Sequence, residues 1–141
     1  MPFSIEHVSI RCRDMEGSID FYRRMFDARV ILRRNLSDSR RIAFLHIGDT
    51  MLELMYMGSA KESVDSREHY GIHHIGIKTD DFESAYRDLK AKGADFLGEP
   101  FEPTPGIRLV FLRDPNGAVI ELAQRDPKVF QDAVRQGSVN W

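Results

Sequence analysis

Two histidines and two glutamates recur at almost equal intervals along this 141-residue chain, His7 with Glu53 and His74 with Glu121, separated by 46 and 47 positions. Imidazole nitrogens and carboxylate oxygens together make a donor set for a divalent cation, and four of them leave coordination positions open for water or substrate. A carboxylate beside such a centre can also move a proton as a general base. Each residue alone has a simpler explanation, a polar side chain on a solvated strand face. The case for chemistry rests on their recurrence in phase. Two carboxylates gathered in a partly buried cavity without a cation would repel one another and lose hydration.

The elements that must position them form an internal repeat. His7-Val-Ser-Ile-Arg11 matches His74-Ile-Gly-Ile-Lys78, and the same offset of 67 carries Arg41-Ile-Ala-Phe-Leu45 onto Arg108-Leu-Val-Phe-Leu112. One further residue in the second copy then aligns Met51-Leu-Glu-Leu54 with Val119-Ile-Glu-Leu122. Each half reads as βαβββ. In the first, a strand near 5–12 precedes a helix with Met15, Ile19, Tyr22 and Phe26 at helical spacing and Asp14 as its N-cap, and strands follow near 28–34, 40–47 and 50–56. In the second, a strand near 72–79 and a helix over 82–92, closed by Gly93, lead to strands near 94–98, 107–113 and 118–124. Module one then covers about 3–57 and module two about 72–125, with a polar linker at 58–71 and a tail at 126–141 within one domain. The tail carries Val129, Phe130, Ala133 and Val134 in a short amphipathic pattern over 127–136. The fold class is α+β, two paired modules whose curved, mostly antiparallel sheets enclose a cavity.

Strand alternation assigns the faces. Val8, Ile10 and Cys12 must face the helix, so His7 and Arg11 point the other way. In the pair His73-His74, His73 shares the face of Ile75 and Ile77 and is expected to be structural; His74 is the counterpart of His7. Glu53, between Leu52 and Leu54, and Glu121, between Ile120 and Leu122, must also point away from the apolar side. His7, Met51, Glu53, Met55, His74, Val119 and Glu121 then share one class of face, part apolar and part ligand-type. His46 falls on Arg113 in the repeat and reads as structural or pocket-lining.

The bulk properties exclude several classes. A net charge of −2 and a pI near 6.2 give no footprint for nucleic acid or an acidic membrane surface. The single cysteine, Cys12, rules out an intrachain disulfide framework and suits a reducing compartment, and on the helix side of its strand it reads as an inert buried thiol. No apolar run approaches the roughly 18 residues of a membrane span. The opening Met-Pro-Phe-Ser-Ile-Glu-His lacks a basic segment followed by an apolar one, so a cytoplasmic protein is expected.

With these residues in place, the sequence resembles the vicinal oxygen chelate superfamily, which includes glyoxalase I, methylmalonyl-CoA epimerase, extradiol dioxygenases, fosfomycin-resistance enzymes and bleomycin-binding proteins. The resemblance covers residues 5–125 and rests on His7-Val-Ser-Ile, Ser18-Ile-Asp-Phe-Tyr22, His74-Ile-Gly-Ile, Asp114-Pro-Asn-Gly117 and Ile120-Glu-Leu122. It implies a glyoxalase-like fold with one divalent metal ion per site, held by His7, Glu53, His74 and Glu121, with Ni, Co, Mn, Zn, Mg and Fe(II) all open. It also implies a homodimer and a small-molecule substrate. By resemblance to glyoxalase I, an isomerase or lyase, Glu121 serves as the base that moves protons between neighbouring carbons through an enediolate, with Glu53 its counterpart. Arg11 matches an arginine that binds the glutathione γ-glutamyl group. Met57 instead stands where a glutathione-binding asparagine is common, and Met51, Met55 and Met57 give an adaptable, apolar substrate wall.

Three other functions compete with that reading. A CoA-thioester epimerase would use the same proton chemistry. An Fe(II) extradiol dioxygenase needs two histidines and one carboxylate, and Glu53 as a fourth ligand argues against it. A drug-binding protein would not need the complete ligand set.

Overall fold

The computed structural model describes residues 3–128 together with Gln131 and Arg135. The first half runs β1 (His7–Arg11), α1 (Met15–Phe26), β2 (Arg29–Ser37), β3 (Arg40–Ile47) and β4 (Thr50–Tyr56). The second runs β5 (Ile75–Lys78), α2 (Phe82–Ala91), β6 (Asp95–Phe96), β7 (Ile107–Arg113) and β8 (Val119–Arg125). Each half folds into a four-stranded sheet, in the orders β1-β4-β3-β2 and β5-β8-β7-β6. In both, the first strand runs parallel to the last, and the other pairings are antiparallel.

The repeat survives at the level of hydrogen-bond register. Val8 pairs with Leu52 as Ile75 pairs with Ile120, and Ser9 with Glu53 as Gly76 with Glu121. On the other side of the glutamate strand, Phe44 stands opposite Glu53 as Phe111 stands opposite Glu121. A one-residue slip would turn every glutamate to the wrong face, so the matched register places both acids alike.

Each helix shows one apolar stripe to its sheet. Ile19 and Tyr22 of α1 and Phe82 and Leu89 of α2 are all buried, and they join Leu45, Leu54, Val110, Leu112, Ile120 and Leu122 in one continuous core. Asp81 caps α2 by accepting from Ser84 N at 3.1 Å. Asp14 holds the equivalent position in extended conformation but makes no side-chain cap; only its carbonyl accepts, from Ser18 N at 3.0 Å. Gly93, at φ 81°, closes α2 as read, and α1 ends on a left-handed Asp27 at φ 52°, where Ala28 N donates back to Tyr22 O.

Three strands are shorter than the sequence suggests. β1 covers His7–Arg11 rather than 5–12, β5 begins at Ile75 rather than 72, and β6 is two residues long. The linker is largely irregular, with one 3-10 turn at Ser66–Glu68 whose Asp65 side chain accepts from Arg67 N. The apolar residues of the expected tail helix, Val129, Phe130, Ala133 and Val134, lie outside the described residues. Among the described residues no helix is long and apolar enough to cross a membrane.

Candidate functional site

The burial pattern of β1 follows the alternation argument: Ile10 is buried, Val8 partly so, and His7, Ser9 and Arg11 are exposed. In β4, Leu52 and Leu54 are buried while Met51, Glu53 and Met55 are half-buried on the other face. Met51 lies opposite His7 and Met55 opposite Arg11 in the β1–β4 register, so the two methionines flank Glu53 on the strand beside those side chains. Cys12 is 2% exposed, and burial pushes its thiol above its ordinary pKa, as an inert core position requires.

The second half is assembled more tightly. His74 Nε2 lies 3.2 Å from Glu121 Oε2, and Arg125 Nη2 donates to Glu121 Oε1 at 2.8 Å. Glu121 is 5% exposed, so both carboxylate oxygens are met by a nitrogen group in a largely dry setting. His74 also stands edge-on to Phe111 at 5.4 Å between ring centroids, and His7 stands edge-on to Phe44 at the same separation. The two phenylalanines occupy equivalent places in the repeat. They seat the two imidazoles in equivalent ways, a role hidden in the sequence because Phe44 and Phe111 read there only as strand residues.

His73 departs from its expected structural role. It is exposed, and its Nδ1 lies 2.9 Å from Nδ1 of His74. Strand alternation does not reach His73, because β5 starts at Ile75 and both histidines lie on the approach to the strand. One of the two Nδ1 atoms must donate and the other accept. A His73 ring held there fixes the orientation of His74 and leaves its Nε2 directed at Glu121, the arrangement by which an outer partner orients a ligating imidazole.

Arg11 is partly committed elsewhere. Its Nη2 donates to the carbonyls of Met57 and Ser59, both at 3.1 Å, so it ties the start of the linker to β1. Arg13 pairs with Glu62, and Arg113 with Asp65, so the linker is anchored at intervals along both halves. The hydrogen bonds from Arg67 hold the Asp65 carboxyl well below the usual carboxylate range.

A clasp between the halves sets their relative position. Tyr22 OH donates to Asp114 Oδ2 at 2.7 Å, and Asp114 Oδ1 accepts from the backbone N–H groups of Asn116 and Ala118, both at 2.8 Å. Asn116 in turn donates to Ser18 Oγ and accepts from Arg13 N, each at 3.0 Å. The Ser18–Tyr22 and Asp114–Gly117 motifs are therefore one structural device rather than chemistry at a site.

The four candidate ligands are not gathered within one chain. Among the described residues no group of three or more His, Cys, Asp or Glu side chains lies close enough to hold an ion. The chain presents two half-sets: His74 with Glu121 in contact, and His7 with Glu53 at the equivalent register. Each supplies one nitrogen and one carboxylate donor, so the residue chemistry fits half of a divalent site apiece. A cleft of about 300 Å³ between β1 and the start of β5 includes Ser9, Arg11, His73, His74 and Val119, with linker residues Val64 and Ser66 on one wall. A second cavity of about 400 Å³ includes Val8, Tyr22, Met51, Leu52, Ile75, Ile77 and Ile120 and none of the four ligand candidates.

Residues 4–122 match the model of the glyoxalase/bleomycin resistance protein/dioxygenase superfamily. The chain is 30% identical over 125 residues to the lactoylglutathione lyase of Neisseria meningitidis, which covers 84% of this chain and 88% of that one. It is also 30% identical over 127 residues to a lactoylglutathione lyase of Arabidopsis thaliana, covering 86% of this chain but 44% of the plant protein. The chain thus spans less than half the length of that relative. Glyoxalase I from Zea mays superposes with a TM-score of 0.73 at 27% identity, covering 86% of this chain and 44% of that one.

Proposed function

The chain belongs to the glyoxalase/bleomycin resistance protein/dioxygenase superfamily, and from that premise we propose that it is a divalent-metal-dependent isomerase or lyase of glyoxalase type, acting as a homodimer in the cytoplasm on a small-molecule substrate. The observation that carries the reading is the His74–Glu121 contact at 3.2 Å; His7 and Glu53 hold the equivalent places in the first half, where the His7 ring pairs with Glu6 at 3.0 Å.

In this reading His7 and Glu53 of one copy meet His74 and Glu121 of the other, so a dimer holds two centres. Apolar side chains left open to water are compatible with the pairing: Phe3 is 85% exposed, Ile5 83% and Ile72 75%. A closed twofold assembly is also the commonest way for a chain to complete itself. The cation, when bound, supplies Lewis-acid stabilisation for negative charge developing on adjacent substrate oxygens.

The chain's own groups do the rest. Glu121 takes the proton from the carbon beside the substrate oxygens and returns it to the neighbouring carbon, with Glu53 its counterpart. His73 keeps His74 oriented, and Arg11, Met51, Met55 and Met57 form the substrate wall. Lactoylglutathione is the first ligand to test, because the relatives at 30% identity bear that name.

The deciding experiment reconstitutes metal-free protein with each divalent ion and measures metal uptake, mass in solution and lactoylglutathione turnover beside Glu121→Gln. We expect metal uptake, a dimer, and a loss of about 10²–10⁴-fold in the variant with its fold intact. Wild type that takes up no ion would sink the reading. Metal uptake with turnover of a CoA thioester instead would move the assignment to an epimerase.

A further inference from the structure

The internal repeat supplies its own control for what surrounds each glutamate. Four residues after Glu121, two steps along the same face of β8, stands Arg125; four residues after Glu53 stands Met57. The strand register around the two acids is matched: Gly76 and Ser9 are their partners on one side, and Phe111 and Phe44 on the other. Within that shared register the ion pairs differ: His7 Nδ1 pairs with Glu6 at 3.0 Å whereas His74 Nε2 meets Glu121, and Arg125 Nη2 donates to Glu121 Oε1 at 2.8 Å. The contact falls on the more buried of the two acids. Glu121 is 5% exposed, whereas Glu53 is half-buried beside a thioether.

A carboxylate taken from water at this depth requires a cationic or hydrogen-bonding partner. His74 alone covers one oxygen of Glu121, and Arg125 covers the other. We propose that Arg125 is a positioning residue that stands in for the divalent cation at Glu121, holding the carboxylate in place and competing with the ion for it. The inference rests on the metal-dependent reading above and adds to it an asymmetry between the two half-sites. Loading the His74–Glu121 half displaces an existing charge-assisted hydrogen bond, and loading the His7–Glu53 half does not. Arg125 thereby sets the affinity of the whole centre.

A purely structural arginine predicts the opposite sign: its loss would disorder Glu121 and weaken binding. A competing arginine predicts tighter binding on its removal. The test is calorimetric titration of metal-free protein with Zn²⁺, with folding checked by circular dichroism, on wild type, R125M, R125Q, R125K and M57R. Releasing a charge-assisted bond that is partly open to solvent should tighten Zn²⁺ binding about tenfold in R125M, and by a smaller factor in R125Q. R125K restores the cation and should return toward wild type. M57R places the same guanidinium beside Glu53 and should weaken binding about tenfold, which keeps the test open even where changes at position 125 disturb folding. Equal or weaker binding in folded R125M or R125Q overturns the proposal, and so does M57R that binds as wild type. Folded wild type that binds no Zn²⁺ and no other divalent ion overturns the metal-dependent reading itself, a different result.

Discussion

Replacing Tyr22 by phenylalanine removes one oxygen and nothing else, and it strikes the clasp that fixes the two halves of the chain. The hydroxyl is buried with its residue at 1% exposure and donates at 2.7 Å to Asp114, itself 5% exposed. A buried hydrogen bond to a charged acceptor contributes about 1.5–3 kcal/mol. Asp114 keeps two backbone donors on its other oxygen, so it is left under-satisfied rather than orphaned, and the ring still fills its place against Phe21 and Phe26. A loss of about 2 kcal/mol follows. For a chain of this size it corresponds to a fall in Tm of roughly 5–8 °C. Urea unfolding followed by circular dichroism measures it, with an unchanged m-value showing that the native state remains compact. Tyr22→Phe with wild-type stability would refute the view that the clasp is a net stabilising contact between halves.

Alkaline pH should act on the same residue. Burial, with Asp114 beside it, raises the Tyr22 hydroxyl well above its ordinary value of 10.0, and burial raises the Cys12 thiol above 9.0. Both groups hold their protons longer folded than unfolded, so their contribution is intact below pH 9 and falls away above it as the unfolded chain ionises first. Denaturation from pH 8 to 11 should show that decline, shallower in Tyr22→Phe. Gly117→Ala should cost about 1–3 kcal/mol in the same assay, since its φ is 86° and a Cβ there would meet the Ser63 side chain. His73→Ala should weaken metal binding by about tenfold or more with little change in stability, because His74 loses the ring that orients it; unaltered affinity on titration would count against that role.

The fold was legible because its signals are redundant. Helical spacing around Ile19 and Tyr22, alternation around Glu53 and a matched repeat each lead to the same βαβββ unit, and the matched register places both glutamates alike. What escaped the sequence depends on contacts between residues far apart in the chain. Tyr22 and Asp114 belong to separate motifs, and only packing shows that they meet. Asp14 and Asp81 look equally suited to cap a helix, yet only Asp81 does so. His73 shows where alternation stops applying, before the first residue of a strand that begins later than its apolar pattern suggests. Arg125 gives no signal in the sequence, because a partner at i−4 in a strand means nothing until the shared face is known. The separation of the four candidate ligands into two half-sets is the least accessible feature. A repeat specifies two equivalent units, but which unit faces which, and in which copy, is a matter of assembly.

That assembly can be tested by mixing two inactive chains. His7→Ala and His74→Ala each remove one ligand from every centre, so each variant alone should lose tight metal binding. In a dimer formed by one chain of each kind, centres shared between copies leave one with both histidines missing and the other complete. Metal analysis of the purified mixed dimer should then recover one tightly bound divalent ion per dimer, against two in wild type. If each centre is built within a single chain, the mixed dimer binds none tightly, and that result would contradict the account.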